Sequence, residues 1–368
     1  MKGMTSVRAK KYNEDGLVAI VVATVVMIIL SLITLGFARI MQSEQRQALD
    51  RSLSTQAFYA AESAINDVVR QIQDPNPATA YTQDKPTCGT DPANRFDGSV
   101  DSSVSATYTC LLIDQAPDTL EYTQGSIGLE ASKIIPIRAE NGSLISQVRI
   151  AWEENSSSAP SGNTPIVCPS TTGAVDLPPF SGGTPWNNRI GMLRIDLIRA
   201  DPPLDRNTLV AHTMSSYLYP CTGAGSIVST NFSDHNADNQ KGQILPVRCV
   251  SGAIPRDCEV SINMNNASPQ SAPARQFYLR IRSIYRANDV TVRVFDGAGT
   301  QQAISGAQVQ IDSTGKVNDV LRRIQVRVPV NKSYQIPEYV IQTTDSICKQ
   351  IQVTPLPTPF ADNGACPL

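Results

Sequence analysis

The chain has 368 residues, with 31 basic and 33 acidic side chains and a formal charge of −2. So even a balance gives no electrostatic reason for a nucleic-acid partner, and two histidines leave little material for a histidine-rich metal centre. Eight cysteines without C-x2-C spacing exclude a paired-cysteine zinc site.

The first 16 residues form a short leader carrying Lys2, Arg8, Lys10 and Lys11, and they end in Glu14, Asp15 and Gly16. Residues 17–38 then run LVAIVVATVVMIILSLITLGFA without a formal charge. As a helix this run spans roughly 33 Å, close to the ~30 Å hydrocarbon core of a bilayer, so it reads as a transmembrane helix. The basic leader places its N-terminus in the cytoplasm. A cleaved secretory signal is the weaker reading, because secretory apolar regions are about 7 to 15 residues long and Gly36-Phe37-Ala38 is a poor small-x-small site. A plain signal-anchor is a further alternative.

Helical periodicity continues over 39–75. Leu49, Leu53, Ala57, Ala60, Ala61, Ala64, Ile65, Val68 and Ile72 recur at steps of three and four. One helix is therefore expected from Leu17 to Gln73, stopped by Pro75 and Pro77.

A basic leader, a glycine, an uncharged run and a long amphipathic continuation together resemble the N-terminus of a type IV prepilin. The segment Ser43 to Val69, above all Phe58-Tyr59-Ala60-Ala61-Glu62-Ser63, is similar to the region after the anchor in PilX-like minor pilins. The resemblance covers about the first seventy residues. It implies a membrane aspartyl peptidase that cuts after Gly16 and leaves Leu17 as an N-methylated mature N-terminus. It implies as partners that peptidase, an inner-membrane assembly platform, other major and minor pilins, and membrane lipid before assembly. Glu14 and Asp15 stand where the family has basic or neutral residues, Leu17 replaces the commonest Phe, and Val21 stands where most pilins have Glu. Cutting at Gly16 would move the formal charge from −2 to −4 before the new amine is counted.

Beyond Asn76 the composition turns to Thr, Ser, Pro, Gly and Asn with short alternating apolar runs, the pattern of an antiparallel β-rich domain. The expected fold is α+β: a long transmembrane and amphipathic helix packed on a β-rich head. A pilin-like β region is placed at 76–153, a loop or linker at 154–188, and a disulfide-bonded β-rich head at 189–368. Asn141-Gly142 suits a type I′ turn in a hairpin from Ile134 to Trp152. Leu144, Val148, Ile150 and Trp152 would then share a face packed on the helix. Strands follow at Met192 to Ile198, Gln276 to Tyr285, Val290 to Phe295, Ile324 to Val330 and Tyr339 to Thr343, with Ala287-Asn288-Asp289 as a second hairpin turn.

All eight cysteines lie after the helix, on the oxidising side, so disulfides are expected. Many connectivities are open, one being Cys88–Cys110, Cys168–Cys221, Cys249–Cys258 and Cys348–Cys366. Buried free thiols are the alternative.

Chemistry-bearing patterns are sparse. His212 lies near Ser215 and Ser216, without a G-x-S-x-G elbow. Asp234-His235-Asn236-Ala237-Asp238-Asn239 starts like a calcium loop, but Asn239 replaces the turn glycine and Leu245 the bidentate Glu. The D-x-S-x-S string of Asp101, Ser103 and Ser105 leads into a strand rather than a helix. Arg280, Arg282, Arg293 and Arg327 are placed on the polar faces of adjacent strands, where they could form a basic stripe, but with a slightly negative overall charge and no interleaved aromatics DNA binding is not expected. No cofactor and no catalytic set is expected.

The reading is a minor pilin: a single-pass inner-membrane protein with an extracytoplasmic C-terminus that passes into an extracellular type IV pilus. Lacking a carboxylate at Val21, it is expected at the tip. The rivals are a K-type minor pseudopilin of a type II secretion system and a signal-anchored surface adhesin or enzyme.

Overall fold

The computed structural model describes residues 15–74, 76–78, 81, 83–88, 98–101, 105–127, 132–154, 168, 186, 190–201, 208–223, 225–235, 243–249 and 258–330. A single helix, α1 (Asp15–Ile72), holds 58 residues and stops before Pro75, as the proline pair dictates. Among the described residues fifteen strands follow in chain order: β1 (Gly98–Asp101), β2 (Ala106–Asp114), β3 (Leu120–Ile127), β4 (Ser132–Arg138), β5 (Gln147–Glu154), β6 (Met192–Arg199), β7 (Thr213–Cys221), β8 (Ser229–Asn231), β9 (Gln243–Arg248), β10 (Cys258–Asn263), β11 (Gln276–Ile284), β12 (Asn288–Phe295), β13 (Gln301–Gln302), β14 (Gln308–Val317) and β15 (Val320–Pro329). Helix first and strands after make the α+β class. The expected strand Tyr339 to Thr343 lies outside the described residues.

The chain divides into two compact units, one of Met1–Gln115 with Val309–Val328, the other of Ala116–Gln308 with Pro329–Leu368. In the first unit, α1 lies on a four-stranded sheet in the order β1-β2-β14-β15. β14 and β15 are joined by a two-residue turn, with Asn318 at φ 51°.

The described residues of the second unit form two sheets. One runs β13-β12-β5-β10-β8 with β3 also paired to β12, the other β4-β11-β6-β7-β9. Their inward residues share one core. Ile135, Ile137, Leu279, Ile281, Ile195 and Leu197 of the second sheet are buried in the same cluster as Val148, Ile150, Trp152, Val260, Val292 and Val294 of the first. This is the packing of a β-sandwich, and the strict alternation of buried and half-buried residues along β12 follows from it. The pairing is mixed rather than purely antiparallel, because β7 with β9 and β10 with β8 run parallel.

Both expected hairpins are corrected. β4 pairs with β11 and β5 with β10 and β12, so the chain from Ile134 to Trp152 crosses from one sheet to the other. Of Asn141 and Gly142, only Gly142 takes positive φ, at 72°, whereas a type I′ turn needs both. The corner is tied down by bridges from Ala139 to Ile304 and from Ile145 to Ala274. Val148, Ile150 and Trp152 do share a buried face, but it belongs to the sandwich core and not to the helix, and Leu144 is exposed.

Ala287-Asn288-Asp289 is likewise a crossing, between β11 and β12, which lie in different sheets. Tyr285 at φ 68° starts the bend, and the fully buried Asn288 holds it. Its Oδ1 accepts from Gly191 N at 2.9 Å, while its Nδ2 donates to Ser283 Oγ and Arg286 O, both at 3.3 Å. A side chain at Gly191 would stand 2.7 Å from Arg286 O, so only glycine fits. The physical reason for both errors is the same. Two consecutive alternating strands bury the same residues whether they pair side by side or face one another across a core.

The stretch 154–188 falls almost wholly outside the described residues, and β5 and β6 on either side of it belong to the same unit.

Candidate functional site

The feature that the rest of the first unit serves is α1. Its described apolar side chains from Ile20 to Met41 are exposed, from Ile33 at 47% to Met27 at 71%. The same helix contains the one described stretch long and apolar enough to cross a membrane, with a mean hydropathy of 2.8 over its best window. Three hydroxyls interrupt the run without leaving polar groups unpaired. Thr24 donates to Val21 O at 2.8 Å, Ser31 to Met27 O at 2.7 Å and Thr34 to Ser31 O at 2.9 Å. Such back-bonding lets Ser and Thr sit in an apolar medium.

Gly16 and Leu17 lie in the first turn of α1, one helical turn before Val21, whose side chain is 54% exposed.

Burial begins at Ala57. Ala57, Ala60, Ala61, Ala64, Ile65 and Val68 are buried, at the three- and four-residue steps read from the sequence, with Ala57 and Ala60 packed on Ala106 and Val317. Alanines dominate because strand and helix backbones almost touch. A Cβ on Gly315 of β14 would lie 2.0 Å from Ala57 O and 2.6 Å from Ala61 N. Glycine on the strand and alanine on the helix are thus two halves of one fit. Beside this seat Arg322 of β15 donates from Nε to Ser54 Oγ at 2.7 Å. The opposite side of the helix leaves Phe58 and Tyr59 exposed, their rings edge to face at 6.0 Å.

Two residues along β14 from Gly315, Ser313 is fully buried and its Oγ has no hydrogen-bond partner. An unpaired buried hydroxyl costs about 1 to 3 kcal/mol. Ser313→Ala should therefore raise the unfolding midpoint of the first unit, by about 1 kcal/mol of stability. A lowered midpoint would show that the hydroxyl is satisfied in solution.

The described cysteines form three disulfides, Cys88–Cys110, Cys168–Cys221 and Cys249–Cys258, each to its sequence neighbour. Cys348 and Cys366 lie outside the described residues. Cys249–Cys258 closes a separation of 9 residues and joins the end of β9 to the start of β10, which belong to different sheets of the sandwich. Cys249 N also donates to Cys221 O at 2.9 Å, so the two disulfides of the second unit are neighbours. Alkylation of denatured, unreduced protein should find at most two reactive thiols. Labelling of most of the eight cysteines would contradict an oxidised head.

The remaining candidates separate. His212 Nδ1 lies 2.8 Å from Thr208 O, while Ser215 donates to Asp196 Oδ1 at 2.7 Å and Ser216 points into the sandwich core. These side chains do not form a relay.

Asp234 is engaged by Asn231 Nδ2 at 3.0 Å in a short 3-10 turn with buried His235, and 236–239 lie outside the described residues. Asp101 ends β1, Ser105 takes φ 53° before β2, and Ser103 is not described. Among the described residues no group of three or more His, Cys, Asp or Glu could hold a metal.

The arginine stripe is corrected. Arg280 and Arg282 lie on β11, Arg293 on β12 and Arg327 on β15, in three different sheets, and Arg293 pairs with Glu259 at 2.7 Å.

Burial, rather than a charge partner, raises the pKa of Tyr122 and Tyr219 and lowers that of Lys133, whose ammonium sits 4.6 Å over the Tyr122 ring. Comparison with protein-family models, with curated proteins and with solved structures finds no match.

Proposed function

We propose that the chain is a minor pilin, a structural subunit that waits in the inner membrane and is then drawn into a type IV pilus. The observation that carries this reading is α1: one continuous helix, bare and apolar from Ile20 to Phe37, continuing through an exposed polar stretch, and seated by alanines on a four-stranded sheet from Ala57 onward. A soluble protein would cover such a helix. A plain signal-anchor needs only the span and not the long rigid continuation. In the membrane the bare part is solvated by lipid, and in a filament by equivalent helices of other pilins. The disulfides suit an extracytoplasmic head.

On this reading the peptidase cuts between Gly16 and Leu17 and Leu17 is N-methylated. N-terminal sequencing of protein from membranes is the test. A methylated Leu17 supports the assignment, and an intact leader overturns it in favour of a signal-anchored surface protein.

Val21 adds a position to the role. The new amine of Leu17 would lie at an apolar boundary, where an unpaired charge costs several kcal/mol, and a glutamate on the incoming subunit is its natural partner. With Val21 this chain supplies none, but its own amine can receive one. It would therefore begin a filament and stay at the tip. Immunogold labelling of sheared pili should mark ends, and even labelling along the shaft would sink the tip position.

A further inference from the structure

We infer that residues 116–308 of the second unit are an inserted display module, and that the rest of the chain carries maturation and assembly. This rests on the pilin reading above and divides its labour. The chain leaves the first unit after β2 and re-enters it at β14, and these strands are direct neighbours, with Asp114 opposite Gln310 as their last rung. The exit is fixed within the first unit, where Gln115 N donates to Asp84 Oδ1 and Gln115 Nε2 to Tyr81 O, both at 2.7 Å. Removing everything between would leave two paired strand ends that a two-residue turn can close.

The second unit is closed in the same way at its own base. Buried Gln308, at its exit, accepts from Glu121 N at 3.1 Å and donates to Glu121 O at 2.9 Å, near its entrance. Ile304 N donates to Pro117 O at 3.1 Å, and Gln301 Nε2 to Asp118 O at 2.8 Å. Its two ends are thus held together by its own bonds, the condition under which a domain can be inserted into another.

Two independent observations agree. Every described disulfide lies inside one unit, Cys88–Cys110 in the first and the other two in the second. The apolar clusters are separate as well: the helix seat contains residues of the first unit only, and the sandwich core residues of the second only.

The test replaces residues 116–308 of the full chain by Asn-Gly and compares processing and shear-released protein with the full-length chain. The inference expects the shortened protein to be cut and to appear in the sheared fraction at a level within about twofold of full length. If full-length protein is released and the shortened protein stays in the membrane at equal abundance, the inference falls and the pilin reading stands. If neither is released, the pilin reading itself falls.

Should the shortened protein be degraded, calorimetry of the intact chain decides. Two transitions are expected, Gly315→Ala lowering one by several degrees and Cys249→Ser with Cys258→Ser lowering the other. A single transition moved by both changes would overturn the inference.

Discussion

Gly16→Val is expected to leave the whole population as an uncut precursor in the membrane, with no mature protein and no release by shearing. The reason is geometric. On the pilin reading the peptidase has to bring its paired carboxylates to the carbonyl of residue 16 inside a narrow cleft, and glycine lets the backbone approach with nothing in the way. A β-branched side chain adds bulk at the scissile bond and stiffens the backbone there. Gly16→Ala should be cut partially, because one methyl is the smallest obstruction. The partner control is Gly36→Val within the apolar run. A Cβ at Gly36 meets nothing within 4 Å, so this change should leave cleavage intact. If Gly16→Val protein runs at mature size, the peptidase assignment fails. If both glycine variants are uncut, the fault lies in membrane insertion rather than at the scissile bond.

How much of this was legible beforehand depends on the element. The helix could be read from start to stop because its signals are local: an uncharged run of membrane length, alanines at steps of three and four, and prolines that end it. Strand positions such as β6, β11 and β12 could be read from alternation, within two residues. Which strands pair could not. Period-two alternation states that one face is buried but not whether the neighbour across that face lies in the same sheet. Asn141-Gly142 and Asn288 therefore looked like hairpin turns while serving as corners of a sandwich.

Gly315 carried no readable signal at all. In sequence it is a glycine beside a lysine in a strand. Its role appears only when β14 is laid against Ala57, 258 positions away in the chain. The insertion was equally hidden, since its evidence is the rung joining Asp114 to Gln310.

The second large effect is expected at that contact. Gly315→Val should destabilise the first unit by about 3 kcal/mol or more, beyond the usual range of overpacking. A flexible neighbour could move aside, but the atom 2.0 Å from the added Cβ is the carbonyl oxygen of Ala57, and Ala61 N stands at 2.6 Å. These belong to consecutive turns of the helix backbone. Relief therefore requires the whole helix to lift from the sheet, and Ala57, Ala60, Ala61 and Ala64 lose their cover together. Hydrogen exchange should rise across 57–68 and stay unchanged in β6 and β11. Ala57→Gly should not rescue the variant, because the obstructing atom is backbone and survives the change. Gly297→Ala serves as the comparison, since its Cβ would meet Ser146 Oγ at an ordinary 3.5 Å. That substitution should stay within about 0.5 kcal/mol of the parent. Rescue of Gly315→Val by Ala57→Gly would mean that side chains, not backbones, set the distance between helix and sheet.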